Sequence, residues 1–242
     1  IHGVMNTDNM AISGETIDYG PCAFMDSYNP KTVFSSIDHA GRYAYANQPV
    51  IAQWNLARLA ETVLPFFDKD INIAMNIAKE TIHKFTNSYN IKWHDMMKAK
   101  LGLFGQQPRD NELISNLLNW MKSNQLDYTN TFRDLSETKK PEKEIYQTKE
   151  FSQWNDEWQK RLLLNNQSKS ASIKLMKENN PAIIPRNHNV ETALATTTKN
   201  NINQFQHLLS ALKNPYQDNA QFEKYTLPPE PSNRIYQTFC GT

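Results

Sequence analysis

Apolar side chains recur at three- and four-residue steps from residue 48 to about residue 213, and this spacing limits the fold more than any other feature of the chain. A half-buried strand would need strict alternation instead. Only 7 of the 242 residues are glycine, so left-handed turns and bulges are few and helices can run long. The first helix is expected from residue 48, with Asn47 as N-cap and Pro49 in the first turn, where a missing N–H costs nothing. Leu56, Leu59, Ala60, Val63 and Phe67 supply its apolar steps, and Pro65 marks its end. A second helix is expected from about Asp70 to Leu101, burying Ile73, Ile77, Ile82, Phe85 and Tyr89, with Asn87 and Ser88 as the place where it could break. A third follows Pro108, capped by Asp110 and carrying Leu113, Leu117, Trp120 and Met121. Further helices are expected at about 149–165, 168–179, 189–198 and 199–213. Thr138 to Lys143, with Pro141, reads as an exposed loop, and the tail from Leu227, with Pro228, Pro229 and Pro231, reads as extended. The fold class is mainly α.

Composition removes several functional classes. Apolar residues make up 39% of the chain and charged residues 21%, which fits an ordered domain with a sizeable core. No run approaches the roughly 20 apolar residues of a transmembrane helix, and no secretory leader is visible. Twenty-six basic against 25 acidic side chains leave a net charge of +1, which argues against binding to nucleic acid or an anionic membrane through bulk charge. Cys22 and Cys240 are too few for a disulfide scaffold and lack metal-site spacing, so a reducing compartment is expected.

The first 47 residues differ from the helical body. Four of the seven glycines lie there, and Ser13-Gly14 between two short apolar stretches predicts a tight β-hairpin. Residues 20–36 are rich in turn formers and read as an ordered loop. The chain thus divides into an opening segment, 1–47, a helical body, 48–226, and a tail, 227–242. Asp8 and Asn9 precede the expected hairpin and Asp18 follows it, so the three polar groups can converge. Asn9 and Asp18 offer hard oxygens suited to Mg²⁺, leaving Asp8 to accept a proton from an attacking hydroxyl. The same residues are also favoured in turns for their hydrogen bonds to their own backbone.

The run HGVMNTDNM…TIDYGP resembles the signature of the selenoprotein O family, also called YdiU. The resemblance continues in order through Asp38–Tyr43, Gln48-Pro49 with Trp54-Asn55-Leu56, Lys98–Leu103, Asp127–Phe132, Asn180-Pro181 with Arg186-Asn187, and Cys240 near the C-terminus. It implies a protein-kinase-like C-lobe portion with a helical C-terminal extension, the N-lobe lying outside the chain. It further implies transfer of AMP from ATP to Ser, Thr or Tyr hydroxyls of proteins, with Asp8 as proton acceptor and Asn9 and Asp18 as ligands of Mg²⁺ or Mn²⁺. Asp18 also lies beside the nucleotide phosphates on this reading, because Asp18-Tyr19-Gly20 is similar to the kinase Asp-Phe-Gly element.

The implied partners are ATP and hydroxyl-bearing protein substrates, without nucleic acid or membrane. The implied compartment is a bacterial cytoplasm in preference to a mitochondrion. A redox pair between Cys22 and Cys240 is implied in the same way. Two other readings stay open: a kinase moving the γ-phosphate, and a non-catalytic helical binding module. A kinase-like site also needs a Gly-rich loop, a lysine and a partner glutamate ahead of the catalytic loop, and this sequence opens at that loop with Ile1. The chain therefore reads as a fragment that binds ATP weakly, transfers nothing measurable alone and exposes apolar surface.

The remaining polar and aromatic residues carry plainer expectations. His2 should pack and orient the opening loop, and Asp38 should pair with His39 or Arg42. His83, His94, His188 and His207 have no metal spacing, and Trp54, Trp120, Trp154 and Trp158 should belong to the core. Arg186 could reach either a phosphate or a helix C-terminus.

Overall fold

The computed structural model describes residues 1–230 apart from 17, 18, 20, 21, 139, 140 and 200, and the described residues are mainly helical. The helices are α1 (Gln48–Val63), α2 (Ile71–Lys100), α3 (Asp110–Ser123), α4 (Tyr128–Leu135), α5 (Lys149–Leu162), α6 (Lys169–Asn179), α7 (Asn187–Thr197) and α8 (Asn203–Leu212). No strand forms among the described residues; an isolated antiparallel bridge joins Ser27 to Asp127. The expected hairpin is replaced, over the residues described, by a turn in which the Gly14 N–H donates to the Ala11 carbonyl at 3.0 Å with Gly14 at φ +73°. A turn glycine sets the reversal, but the flanking residues 10–12 and 15–16 carry no ladder.

The chain forms two compact units. Among the described residues, one holds 1–23 and 30–93, and the other holds 24–29 and 94–230. Helix α2 passes through Asn87 and Ser88 without a break. Its expected buried stripe is corrected: Ile73, Ile77 and Tyr89 are 49, 39 and 36% exposed, whereas Ala74 and Ala78 are buried. Ile82 and Phe85, which follow those alanines at four- and three-residue steps, are half-buried. Val50, Leu59, Phe66 and Ile71 are exposed as well.

The second unit has a larger core. Helices α3 and α5 interlock through Trp120, Phe151, Trp154 and Trp158, with successive ring centroids 4.9–5.7 Å apart. The Trp154 and Trp158 indole N–H groups donate to the Leu113 and Leu101 carbonyls at 2.9 Å, so both rings are buried with their polar atoms satisfied. Asp110 does more than begin α3. Buried, it accepts the Gln107 N–H and both Nε and an η nitrogen of Arg161, which ties α3 to α5. A second cluster of Ala182, Ile183, Ala193, Leu208, Ala211 and Tyr225 packs α7 and α8 against the turn at Ala220–Thr226.

Arg186 reaches a helix C-terminus, the Thr226 carbonyl that ends the short 3-10 helix Ala220–Thr226, and two carboxylates besides. Only 1% exposed, its guanidinium donates to Asp26, to both carboxylate oxygens of Asp127, to Asn130 Oδ1 and to the Thr226 carbonyl. Asp127 also caps α4, accepting the Asn130 N–H at 2.7 Å.

Lys100, 8% exposed, lies over the rings of Tyr128 and Phe132 and donates to the Asn179 carbonyl at 3.2 Å. Burial pushes its ammonium down to about 8, against an ordinary 10.5. Between those two pH values the unfolded chain binds more protons than the folded one, so stability rises with pH across that window. The rise should reach roughly 2–3 kcal/mol. Urea midpoints measured from pH 7.5 to 10.5 should show the wild type gaining on Lys100→Met, which lacks this titration.

Candidate functional site

Among its described residues the opening segment has little regular structure, 3-10 turns at Thr7–Asn9 and Tyr45–Asn47, and residues 1–10 take their shape from later residues of the first unit. Gly3 sits at φ +87°, and a Cβ there would fall 2.9 Å from Phe34 Cβ and 3.2 Å from the Ser35 nitrogen. Both the conformation and the close approach therefore require glycine. His2 turns its Nδ1 to accept the Val4 N–H at 3.3 Å, the loop-orienting role expected of it.

Two anchors hold the carbonyls just ahead of Asp8. From α1, the buried Asn55 amide donates to the Met5 carbonyl at 2.9 Å and contacts Met10 Sδ at 2.8 Å. From the turn after Gly41, the Tyr43 hydroxyl donates to Asn6 Oδ1. That turn is itself fixed by Asp38, whose two carboxylate oxygens accept the backbone N–H groups of Arg42 and Tyr43, both at 2.8 Å. The expected pairing of Asp38 with the Arg42 or His39 side chain is thus corrected, since a buried carboxylate is satisfied here by peptide N–H groups.

Asp8 stands exposed, with no hydrogen bond or ion pair to any described residue. Asn9 is half-buried. Its Nδ2 donates to the Val4 carbonyl at 3.0 Å and its backbone N–H to the Asn6 carbonyl at 3.0 Å. Fixing Nδ2 in this way settles the amide orientation and leaves Oδ1 as an open acceptor oxygen, the donor type a hard divalent cation takes. Asp18, the expected second ligand, lies outside the described residues, as does Cys240. Cys22 is a half-buried free thiol. Among the described residues no three His, Cys, Asp or Glu side chains gather in a metal-binding group, and no helix is long and apolar enough to cross a membrane. The arrangement combines an unpaired carboxylate and an oriented amide oxygen on a segment that is tightly tied down just behind them.

The family model described as protein adenylyltransferase SelO matches residues 1–213. The chain belongs to the SelO family. It is 53% identical over 243 residues to the protein nucleotidyltransferase YdiU of Nitrosococcus oceani, and equally so to those of Alkaliphilus metalliredigens and Bacillus cytotoxicus. Each match covers 100% of this chain, which spans about half the length of the curated relatives it matches.

Within this SelO-family chain, sequence reasoning found Asp8 and Asn9 but not what holds them. Asn55 and Tyr43 act across 50 and 37 residues, and neither leaves a local pattern. Asn55 did carry one usable signal: it is a polar residue on the inward, Ile51 side of α1, where an amide stays buried only if it has partners. Trp54 departs from expectation. At 43% exposure it is no core residue, and the guanidinium groups of Arg42 and Arg58 lie over its ring.

Proposed function

We propose that this protein is an ATP-dependent protein adenylyltransferase with a kinase-like C-lobe, in which Asp8 is the general base. The observation that carries the reading is Asp8 itself: an exposed carboxylate without a partner among the described residues, next to an amide whose oxygen is left open, inside a match to a family described as adenylyltransferase. The acceptor hydroxyl of a protein Ser, Thr or Tyr attacks the α-phosphorus of ATP. An oxygen–phosphorus bond forms, the bond from that phosphorus to the β-bridging oxygen breaks, and pyrophosphate leaves. Asp8 takes the hydroxyl proton. Asn9 Oδ1 and Asp18 would hold Mg²⁺ or Mn²⁺, which supplies positive charge against the phosphate oxygens. The anchoring of residues 5 and 6 by Asn55 and Tyr43 keeps the Asp8 backbone from drifting, which preserves the reacting geometry.

The test is which part of ATP is transferred, in the protein at the full length of its relatives. Label from the α-phosphate on protein, with pyrophosphate released, supports the reading. Label from the γ-phosphate, with ADP released, replaces it with a kinase. No transfer, together with a divalent-ion affinity that Asp18→Ala leaves unchanged, replaces it with a binding module. Residues 1–242 alone should transfer nothing measurable, since their sequence contains no Gly-rich phosphate loop.

A further inference from the structure

Two arginines share one tryptophan beside the candidate site, and the proposed reaction makes no use of them. Trp54 lies on α1, with Arg58 one turn further along the same face, its Cζ 5.1 Å from the indole centroid. Arg42 comes from the turn after Gly41 and places its Cζ 4.9 Å from the same ring and 5.8 Å from that of Tyr43. The five N–H donors of a guanidinium lie in its plane, so a group held by its face keeps them free for an anion while its side chain is already ordered.

The two cations are not equivalent. Arg58 is paired with Glu61 at 2.6 Å, on the surface. Arg42 is exposed and has no carboxylate partner among the described residues, because Asp38, four residues earlier, spends both oxygens on backbone N–H groups. An unpaired guanidinium, held against two aromatic rings and open to solvent, is a preorganised receptor for a carboxylate.

Its place in the chain points to the source of that carboxylate. Arg42 adjoins Tyr43, which bonds Asn6; Trp54 adjoins Asn55, which bonds Met5. The stack is therefore tied to the Asp8 segment by two one-residue links. We propose that Arg42 and Arg58 on Trp54 form a specificity clamp for acidic side chains that flank the acceptor hydroxyl of a protein substrate. The identity of this occupant rests on the adenylyl-transfer reading above. A nucleic acid fits less well: one unpaired guanidinium on a chain of net charge +1 offers too few phosphate contacts for a polyanion.

The test is a binding measurement without ATP, so its failure and the failure of the transfer reading are separate results. Fluorescein-labelled peptides with a central Ser, flanked either by Glu and Asp or by Gln and Asn, are titrated with the protein and followed by anisotropy. The acidic peptide should bind at least about tenfold more tightly, and Arg42→Gln should remove that preference. Arg42→Lys should keep part of it, since an ammonium retains charge but not the planar fork. Arg58→Gln should weaken it less than Arg42→Gln does. Equal binding of the two peptides by the wild type overturns the proposal, and so does an acidic preference that survives Arg42→Gln. A thymidine oligonucleotide of matched charge binding as tightly as the acidic peptide overturns it in favour of a general polyanion surface. Pyrophosphate binding that Arg42→Gln abolishes, with the peptide preference intact, overturns it by assigning the arginines to the nucleotide. If Arg42→Gln melts early, the peptide comparison on the wild type and Arg42→Lys decides the question.

Discussion

Asp8→Asn is expected to lower adenylyl transfer by about 10²–10⁴-fold, the usual contribution of a positioned general base, and to leave the melting temperature where it was. The second half follows from the structure. Asp8 is exposed and makes no bond to any described residue, so changing its carboxylate to an amide removes no folding interaction. Asn also keeps the shape of the side chain and the turn preference of the segment. What it loses is the capacity to take a proton. Turnover with ATP in the full-length protein, read alongside a thermal melt, separates chemistry from folding in one variant. Turnover within a few fold of wild type would remove Asp8 from the mechanism.

Arg186→Met should do the opposite, costing about 3–5 kcal/mol of stability while touching no reacting group. The arginine is 1% exposed and serves Asp26, Asp127, Asn130 and the Thr226 carbonyl together. Burial alone would lower its affinity for its proton, but the Asp127 and Asp26 carboxylates outweigh that and hold it above its ordinary value. Methionine fills most of the volume and leaves two largely buried carboxylates without a cation. Asp26 gives the effect a pH signature. Burial already pushes its carboxyl up, opposed by Arg186; removing the arginine lets it rise further. A carboxyl raised in the folded state stabilises only below its unfolded value, and that contribution is lost as pH climbs through the folded one. The deficit of Arg186→Met should accordingly shrink between pH 7 and pH 4, as measured by urea midpoints. A deficit that stays constant over that range would mean that Asp26 is not the group left exposed to the loss.

Legibility in the sequence followed locality. Helices α1, α2, α3, α5, α6, α7 and α8 showed themselves because apolar period and proline placement sit within one or two turns of each other, whereas neither expected cap, Asn47 or Asp110, serves as one. Helix α4 did not, since at eight residues it spans only two turns and carries just Phe132 and Leu135 as inward aliphatic or aromatic side chains beside buried Thr129, Thr131 and Arg133. In α2 the apolar stripe held only at half-buried Ile82 and Phe85, because the buried positions before them are taken by Ala74 and Ala78, which carry little weight in a hydrophobic pattern. Asn47 holds the position ahead of α1 but not the cap. The chain enters that helix through a 3-10 turn at Tyr45–Asn47, and the side chain reaches back to the Gly41 carbonyl at 2.9 Å. At the site, Asp8 and Asn9 were legible as a motif. Tyr43 reaches the motif across 37 residues with no local pattern to report it, and Asn55, acting across 50, shows only as a polar residue on the buried side of α1.

The dependence of residues 1–10 on Phe34, Tyr43 and Asn55 also fixes an order of events during synthesis. A ribosome releases the signature before Asn55, yet a single three-residue turn cannot hold a shape in water by itself. The signature reaches its final shape only once the first helix has formed and turned its amide back on it, so a chain halted at residue 47 would carry the motif without the Asn55 clamp.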